Sequence, residues 1–411
     1  MRSQLAINGG TPVRIKPLPV SNPGAAALGR EEAEAAAEVL RAQSPFRYYG
    51  VNVLGRAKTF ERDFAQKLGV AHALGVTSGT AALVCALKAC GIGPGDKVIV
   101  PACTFVATPG AVICAGAVPV FCDIDESLNM DPAKIEAVAD RYTKAVIPVP
   151  ILGAPCKMDE IMAEARRLGL LVIEDVAQSM GSACQGRYSG TFGDINVFSL
   201  QLNKIITAGE GGVVVSNDAR LFERAVRYHD QGSLREPDGL PGDEVLVGQN
   251  YRMSELTGAV AGVQLRKLDG ILGVMRKYKR IIKSELRGIV PLRRIDDEAG
   301  DAGSVLMMLF PTAEIRKAFE AALCAEGIAC GCLYGGRPVY LQPQIFGQKT
   351  AELSGFLFNQ FDEPVIYTED MCPRAMDIMP RNLIVQLSPV MTDQDAADIV
   401  RAIRKVAEVL L

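Results

Sequence analysis

The chain predicts an α/β protein built on a mostly parallel sheet flanked by helices, followed by a smaller α/β domain. Three observations carry this. Between 79 and 175, short apolar runs alternate with helical patterns of roughly ten residues, the rhythm of a right-handed parallel sheet. Two of those runs, Val98-Ile99-Val100 and Leu170-Leu171-Val172-Ile173, are apolar on both faces, as strands covered by helices on each side must be. A long, strongly periodic stretch, 254–286, then ends the first array, and a shorter one begins after it.

In order, 79–91 has a helical pattern, 97–101 a strand pattern and 104–115 a helical one. Strand 117–123, helix 131–139, strand 144–151, helix 158–168 and strand 169–175 follow. Beyond the long helix come a strand at 304–310, a helix at 313–326, a strand at 382–387 and a closing helix at 393–410. The expected division is a large domain, 1–286, and a small C-terminal domain, 287–411. The stretch 331–381 is irregular, rich in Pro, Gly, Tyr and Gln, and suits the lining of a site or interface.

Composition narrows the function classes. Hydrophobic residues make up 49% and charged residues 22% of 411, the balance of a water-soluble globular protein. The net charge is −3 and no dense Lys/Arg tract exists, which argues against nucleic acid or an anionic membrane surface as partner. No apolar run reaches the length of a membrane helix. The eleven cysteines mostly sit inside apolar runs such as Leu83-Val84-Cys85-Ala86-Leu87, where they act as small hydrophobes. With an odd count and no signal-peptide pattern, reduced thiols and a cytoplasmic location are expected. Only two histidines are present, so no metal site is expected.

Several segments carry chemistry. Lys204 follows the apolar run around Phe198-Ser199 and precedes Gly209-Glu210-Gly211-Gly212, where backbone can approach a ligand closely. An amine so held can form a Schiff base, although a loop lysine is by default a solvated charge. Thr77-Ser78-Gly79-Thr80 opens the first strong helix; it is a phosphate cradle or simply a helix cap. Glu174-Asp175 ends a strand, the place where open α/β sheets bind ligands and also where carboxylates cap turns. Phe105 follows another strand end and can stack on a flat ring or join the core. Gln178 lies three residues beyond Asp175, within reach of the same ligand if a helical turn begins there.

Taken jointly, these residues resemble the DegT/DnrJ/EryC1/StrS sugar aminotransferases, pyridoxal phosphate enzymes of aminotransferase fold type I. The likeness rests on Thr77-Ser78-Gly79-Thr80-Ala81-Ala82-Leu83, 100–108, Ile173-Glu174-Asp175-Val176-Ala177-Gln178, Phe198-Ser199, Lys204 with 209–212, and Gly248-Gln249-Asn250-Tyr251-Arg252-Met253. The resemblance implies a seven-stranded-type sheet and a cofactor, pyridoxal 5′-phosphate, bound covalently by Lys204. It implies Asp175 on the ring nitrogen, Phe105 stacked on the ring, and Gln178 at the ring or its phenolic oxygen. Ser78, Gly79, Thr80 and Ser199 would bind the phosphate, and Asn250 would reach it across a homodimer interface. Arg252 would act in the same motif or form an interface ion pair. Related dehydratases carry histidine where this chain has Lys204, so amino transfer is expected rather than deoxygenation. A different reaction on the same cofactor, or a catalytically silent cofactor-binding regulator, are the rival readings.

The opening Leu5-Ala6-Ile7-Asn8-Gly9-Gly10-Thr11-Pro12-Val13 resembles members acting on cyclitols, aminohydroxybenzoate precursors or free and phosphorylated sugars. Phe46-Arg47-Tyr48, Asp301-Ala302-Gly303 and Lys204-Ile205-Ile206-Thr207 resemble members that aminate a lipopolysaccharide sugar acid. The expected acceptor is a keto or aldehyde sugar or a cyclitol, with glutamate or glutamine as donor; a nucleotide-linked sugar is the alternative. Arg47 is a candidate contact for an acidic substrate group, or else an exposed surface charge.

Overall fold

The structure, a computed structural model, describes residues 4–237, 239–351 and 355–411. Its main sheet begins with β1 (His72–Val76), β2 (Lys97–Pro101), β3 (Val118–Cys122), β4 (Thr143–Val146) and β5 (Leu171–Asp175). A small hairpin of β6 (Ala183–Cys184) and β7 (Arg187–Tyr188) comes next, and β8 (Ile195–Ser199) and β9 (Gly212–Ser216) complete the sheet. The spatial order is β1-β9-β8-β5-β4-β2-β3. Within that sheet β9 alone runs antiparallel to its neighbours, β1 and β8. Its Val213-Val214-Val215 run is apolar on both faces and leads through the Asp218 cap into the helix Ala219–His229.

Two elements are shorter than their apolar patterns suggest. The helix expected from 104 starts at Ala107, because the Thr104 and Thr108 hydroxyls bond each other at 2.7 Å and Phe105 heads a turn. The strand expected through 151 stops at Val146, since Pro148 and Pro150 have no N–H to give a ladder. Their carbonyls instead accept from the Asp175 amide at 3.0 Å and the Ser179 hydroxyl at 2.5 Å.

Capping explains where the helices begin. Ser78 caps Gly79–Ala89 by accepting from the Ala81 amide at 3.0 Å, and this helix is buried nearly all round, sandwiched on the sheet. The 32-residue helix Glu255–Leu286 is capped by Ser254. Its buried first residue, Glu255, in turn caps the helix Arg56–Leu68, accepting from the Arg56 and Ala57 amides at 2.7 and 2.9 Å. Gly55, which precedes that helix, has no side chain to do so.

β10 (Val305–Leu309) and β11 (Asn382–Gln386) form an antiparallel pair under the helices Ala313–Ala325 and Asp393–Leu410. Leu306, Met308, Phe319, Leu383, Val385, Ile399 and Ile403 build that second core, together with Tyr278, Ile282 and Leu286 from the end of the long helix. The irregular stretch crosses back. Val339, Tyr340, Ile345, Phe358 and Tyr367 pack on the first core, and the Tyr367 hydroxyl donates to the Pro119 carbonyl at 2.7 Å. A division at residue 286 therefore does not cut cleanly between the two cores, because these apolar side chains cover the β3 edge of the main sheet.

Arg47 is neither exposed nor part of the cavity described below. It is 7% exposed, pairs with Glu61 at 2.8 Å and donates to the Gly75 carbonyl at 3.3 Å. Glu61 also accepts from the Gly75 amide at 2.6 Å, so the pair fastens the helix Arg56–Leu68 to the middle of β1. Arg47→Ala would strand the Glu61 carboxylate and is expected to cost about 3–5 kcal/mol of folding stability. Denaturant unfolding of the variant measures this; an unchanged midpoint would show that the pair does not fasten β1.

Candidate active site

Parallel strands deliver their carboxyl ends to one edge of the sheet, and ligands of open α/β folds bind beyond that edge. Here β1 leads into Ser78, β2 into Phe105, β5 ends on Asp175, and β8 ends on Ser199 before Lys204. The antiparallel β9 starts at the same edge with Gly212. A cavity of about 550 Å³ lies there, and Ser78, Gly79, Thr80, Phe105, Asp175, Gln178, Ser199 and Lys204 all line it. Of the residues expected at the site, Arg47, Asn250 and Arg252 are outside the lining, and Asn250 is the one expected to hold the cofactor. It is exposed, bridged to Asp230 in antiparallel fashion. Arg252 forms its ion pair within the chain, to Asp230, with its guanidinium 5.5 Å from the Phe46 ring.

Backbone contact shapes the end of the cavity nearest the helix. A Cβ on Gly79 would lie 2.8 Å from the Cβ of Ser199, and one on Gly212 would lie 2.8 Å from the Gly79 nitrogen. Three chain segments thus meet at van der Waals limit, and only glycine allows it. The result is a helix N-terminus, with Ser78 capping only the Ala81 amide, beside the Thr80 and Ser199 hydroxyls, a geometry that attracts a phosphate.

Asp175 is 4% exposed. Burial raises its pKa, against the Thr108 hydroxyl donating to Oδ2 at 2.8 Å, the Ala177 amide donating to Oδ1 at 3.2 Å, and the charge of Lys204. Lys204 shows the mirror image: burial lowers its pKa, and Asp175 pulls it back up. Glu174, next in line, faces the other way. It accepts from the Gly190, Phe192 and Gly193 amides at 2.9, 2.6 and 3.1 Å and serves the connection between β7 and β8, not the cavity. Phe105 is 53% exposed, so it is not core, and its ring is available at the cavity wall.

The Lys204 loop is held from both sides. Its Thr207 hydroxyl donates to the Leu200 carbonyl at 3.0 Å, and the Thr207 amide donates to Gln264 of the long helix at 3.3 Å. Beneath, the Gly24 amide donates to the Lys204 carbonyl at 3.0 Å, which brings Ser21, Asn22 and Pro23 into the cavity wall. Sequence reasoning missed this N-terminal segment, and it missed Thr108, Leu152, Ser304, Tyr334 and Gln386, which also line the cavity. Thr108 had a local signal, three residues past Phe105. Tyr334 lies in the stretch marked as a possible site lining, and the others had none.

The fold and this cavity define an α/β protein with a half-buried lysine and a buried carboxylate brought together at the strand ends. The chain belongs to the DegT/DnrJ/EryC1/StrS aminotransferase family, whose model matches residues 27–404, and it is an aminotransferase. It is 38% identical to the L-glutamine:2-deoxy-scyllo-inosose aminotransferase of Streptoalloteichus tenebrarius over 301 residues, 70% of this chain and 69% of that protein. It is likewise 38% identical to the GDP-perosamine synthase of Escherichia coli O157:H7 over 259 residues, 63% and 70% of the two chains. The solved structure of 3-amino-5-hydroxybenzoic acid synthase superposes with a TM-score of 0.80 at 27% identity, covering 97% of this chain and 99% of that one.

Gly79→Ala forces Ser199 or the helix start to move and is expected to weaken the binding of a phosphate-bearing ligand about tenfold, or 1.4 kcal/mol. Titration of the variant with pyridoxal 5′-phosphate reads this directly. Wild-type affinity would mean that the close approach is incidental.

Proposed function

We propose that this aminotransferase moves an amino group from glutamate or glutamine to a keto or aldehyde sugar, or a cyclitol, using pyridoxal 5′-phosphate held at Lys204. The observation that carries the reading is the half-buried Lys204 amine sharing one cavity with buried Asp175 at the carboxyl edge of the sheet. The residues present fit the cofactor. The glycine-made cradle at Ser78, Gly79 and Thr80, with Ser199, suits its phosphate; the exposed face of Phe105 suits its ring; Asp175 suits a protonated ring nitrogen; and Gln178 suits the ring's oxygen. When bound, the cofactor supplies an electron sink for bond changes at the amino-bearing carbon.

The chain's own groups do the rest. Lys204 anchors the cofactor covalently and, once released, moves a proton through its Nζ at the amino-bearing carbon. Desolvation favours the neutral amine that both tasks need. Asp175, poorly solvated, gains most when a cation stands against it, so it holds a proton on the ring nitrogen. Lysine at position 204 supports amino transfer over dehydration and over a silent regulator.

For the acceptor, the Streptoalloteichus relative is named for a cyclitol ketone and for glutamine. Apart from Asp175, Lys204 and Glu210, the described residues of the cavity wall are uncharged, and Asn22, Gln201, Asn203, Ser304 and Gln386 offer hydrogen bonds suited to sugar hydroxyls. A nucleotide-linked sugar is the second reading, favoured by the GDP-perosamine synthase relative. We further propose a cytoplasmic homodimer in which Asn250 reaches the partner's phosphate site. Its exposure, its place outside the cavity of its own chain, and the exposed Val245 and Val247 beside it support this.

Purified protein mixed with glutamine or glutamate should lose the cofactor's visible absorbance and regain it on adding a keto sugar or keto cyclitol. No change with any amino donor would sink the transfer reading. Lys204→Ala should abolish turnover, and borohydride should fix no cofactor to it; label retained on the variant would move the anchor elsewhere. The rate at which cofactor-free protein takes up pyridoxal phosphate should rise with pH, with a midpoint below the ordinary lysine value of 10.5, because burial lowers the Lys204 pKa. Asp175→Asn removes the charge that keeps the proton on, so it should move that midpoint down. Stopped-flow absorbance across pH tests both signs.

A further inference from the structure

We propose that Tyr334 is a positioning residue that sets the orientation of the Gln178 carboxamide and joins the second core to the cofactor site. The inference rests on the cofactor reading above, since Gln178 matters to it only as a contact of the cofactor ring. Three independent features point to Tyr334.

The first is its backbone. Tyr334 has φ 52° and ψ 28°, a left-handed conformation that a tyrosine adopts only under constraint. Its neighbours impose that shape. The Leu333 amide donates to the Asn382 side chain at 2.9 Å, the Gly335 amide donates to the Cys332 carbonyl at 3.2 Å, and the Arg337 amide donates to the Tyr334 carbonyl at 3.3 Å. Gly336 is pressed so closely on Pro380 that a Cβ there would come within 2.8 Å of its Cα. Strained backbone that the surroundings over-determine is concentrated where a side chain must be aimed.

The second feature is where the side chain is aimed. The segment is anchored on β11 through Asn382, and Gly331 bridges Ile384. The phenol nevertheless reaches beyond that segment to Gln178, and its oxygen accepts from the Gln178 Nε2 at 2.9 Å. Gln178 follows β5 by three residues, so this bond ties the strand end that carries Asp175 to the β10–β11 unit. The Tyr334 ring lies 6.4 Å from that of Phe105, and all three side chains share one wall.

The third is the hydrogen bonding itself. A carboxamide is planar, so fixing one N–H of Gln178 fixes the direction of its second N–H and of its oxygen. Glutamine has three rotatable side-chain bonds, and a free one would spread that direction over many rotamers. Burial pushes the Tyr334 phenol well above its ordinary pKa, so the hydroxyl stays neutral and keeps its proton. The oxygen already accepts from Gln178, and the O–H is left to donate into the cavity.

A double-mutant cycle on cofactor binding tests this. Wild type, Tyr334→Phe, Gln178→Ala and the double variant are freed of cofactor and titrated with pyridoxal 5′-phosphate. Tyr334→Phe keeps the ring and removes only the oxygen. Each single change should weaken binding about fivefold, the scale of one neutral hydrogen bond, and the double variant should bind no more weakly than Gln178→Ala. Visible circular dichroism of the bound chromophore should weaken in both single variants, while far-ultraviolet dichroism and melting temperature of Tyr334→Phe stay at wild-type values. Unchanged binding in Tyr334→Phe, or losses that multiply in the double variant, would overturn the positioning role and leave the cofactor reading standing. Wild-type protein that takes up no cofactor would overturn both.

Discussion

The burial of Asp175 constrains everything around it. A carboxylate removed from water at the end of a central strand is unfavourable as an anion unless hydrogen bonds or a cation compensate it. This chain supplies two donors, Thr108 and the Ala177 amide, and they do not offset desolvation, since the pKa stays raised. Lys204, in the loop that follows the neighbouring β8, reduces the remaining deficit without removing it, so a further cation set against Asp175 would be favoured. The carboxylate is therefore a fixed charge in a poorly screened place, where it acts on a ligand more strongly than it would in water.

That fixed charge is useful only if the lysine opposite stays put, and the fold invests much contact in it. The loop from Leu200 to Gly211 closes on itself through Thr207 and the Leu200 and Gly211 backbone, and the long helix and the N-terminal segment grip it from outside. Gln264, which reaches Thr207, itself donates to Glu32 at 2.9 Å, so the grip extends to the helix Arg30–Arg41. An amine on a loose tether would find water and regain its ordinary basicity. One held between packed elements stays desolvated.

How much of this was legible in the sequence follows from the range of each signal. The buried strands β2 and β5 show as apolar runs because each residue's burial is decided locally by the helices on both faces. β9 does not stand out, since an antiparallel strand inserted between β1 and β8 has no characteristic connection of its own. Ser78, Asp175, Ser199 and Lys204 were found because strand ends and helix starts leave local marks, and the parallel topology then brings them to one edge. Arg47 was misplaced: nothing near Phe46-Arg47-Tyr48 reveals Glu61, its partner fourteen residues on in a helix. Ser21, Asn22 and Gln386 were invisible because only tertiary packing brings them to Lys204.

The division between legible and illegible residues matches a division within the cavity. The end at Gly79 and Gly212 is built from backbone: helix amides, strand ends and glycines whose contacts admit no side chain. Such a surface is rigid and fixed by the sheet, so its identity is written in short motifs. Other parts of the wall are built from side chains, Asn22, Leu152, Ser304 and Tyr334 on irregular segments and Gln386 at the end of β11, and two of these, Leu152 and Tyr334, sit in left-handed backbone. Side chains on loops can change hydrogen-bond pattern and volume without disturbing the sheet. A backbone-built end can thus be retained while the side chains elsewhere in the wall vary, and those side chains are ones that no short motif marks.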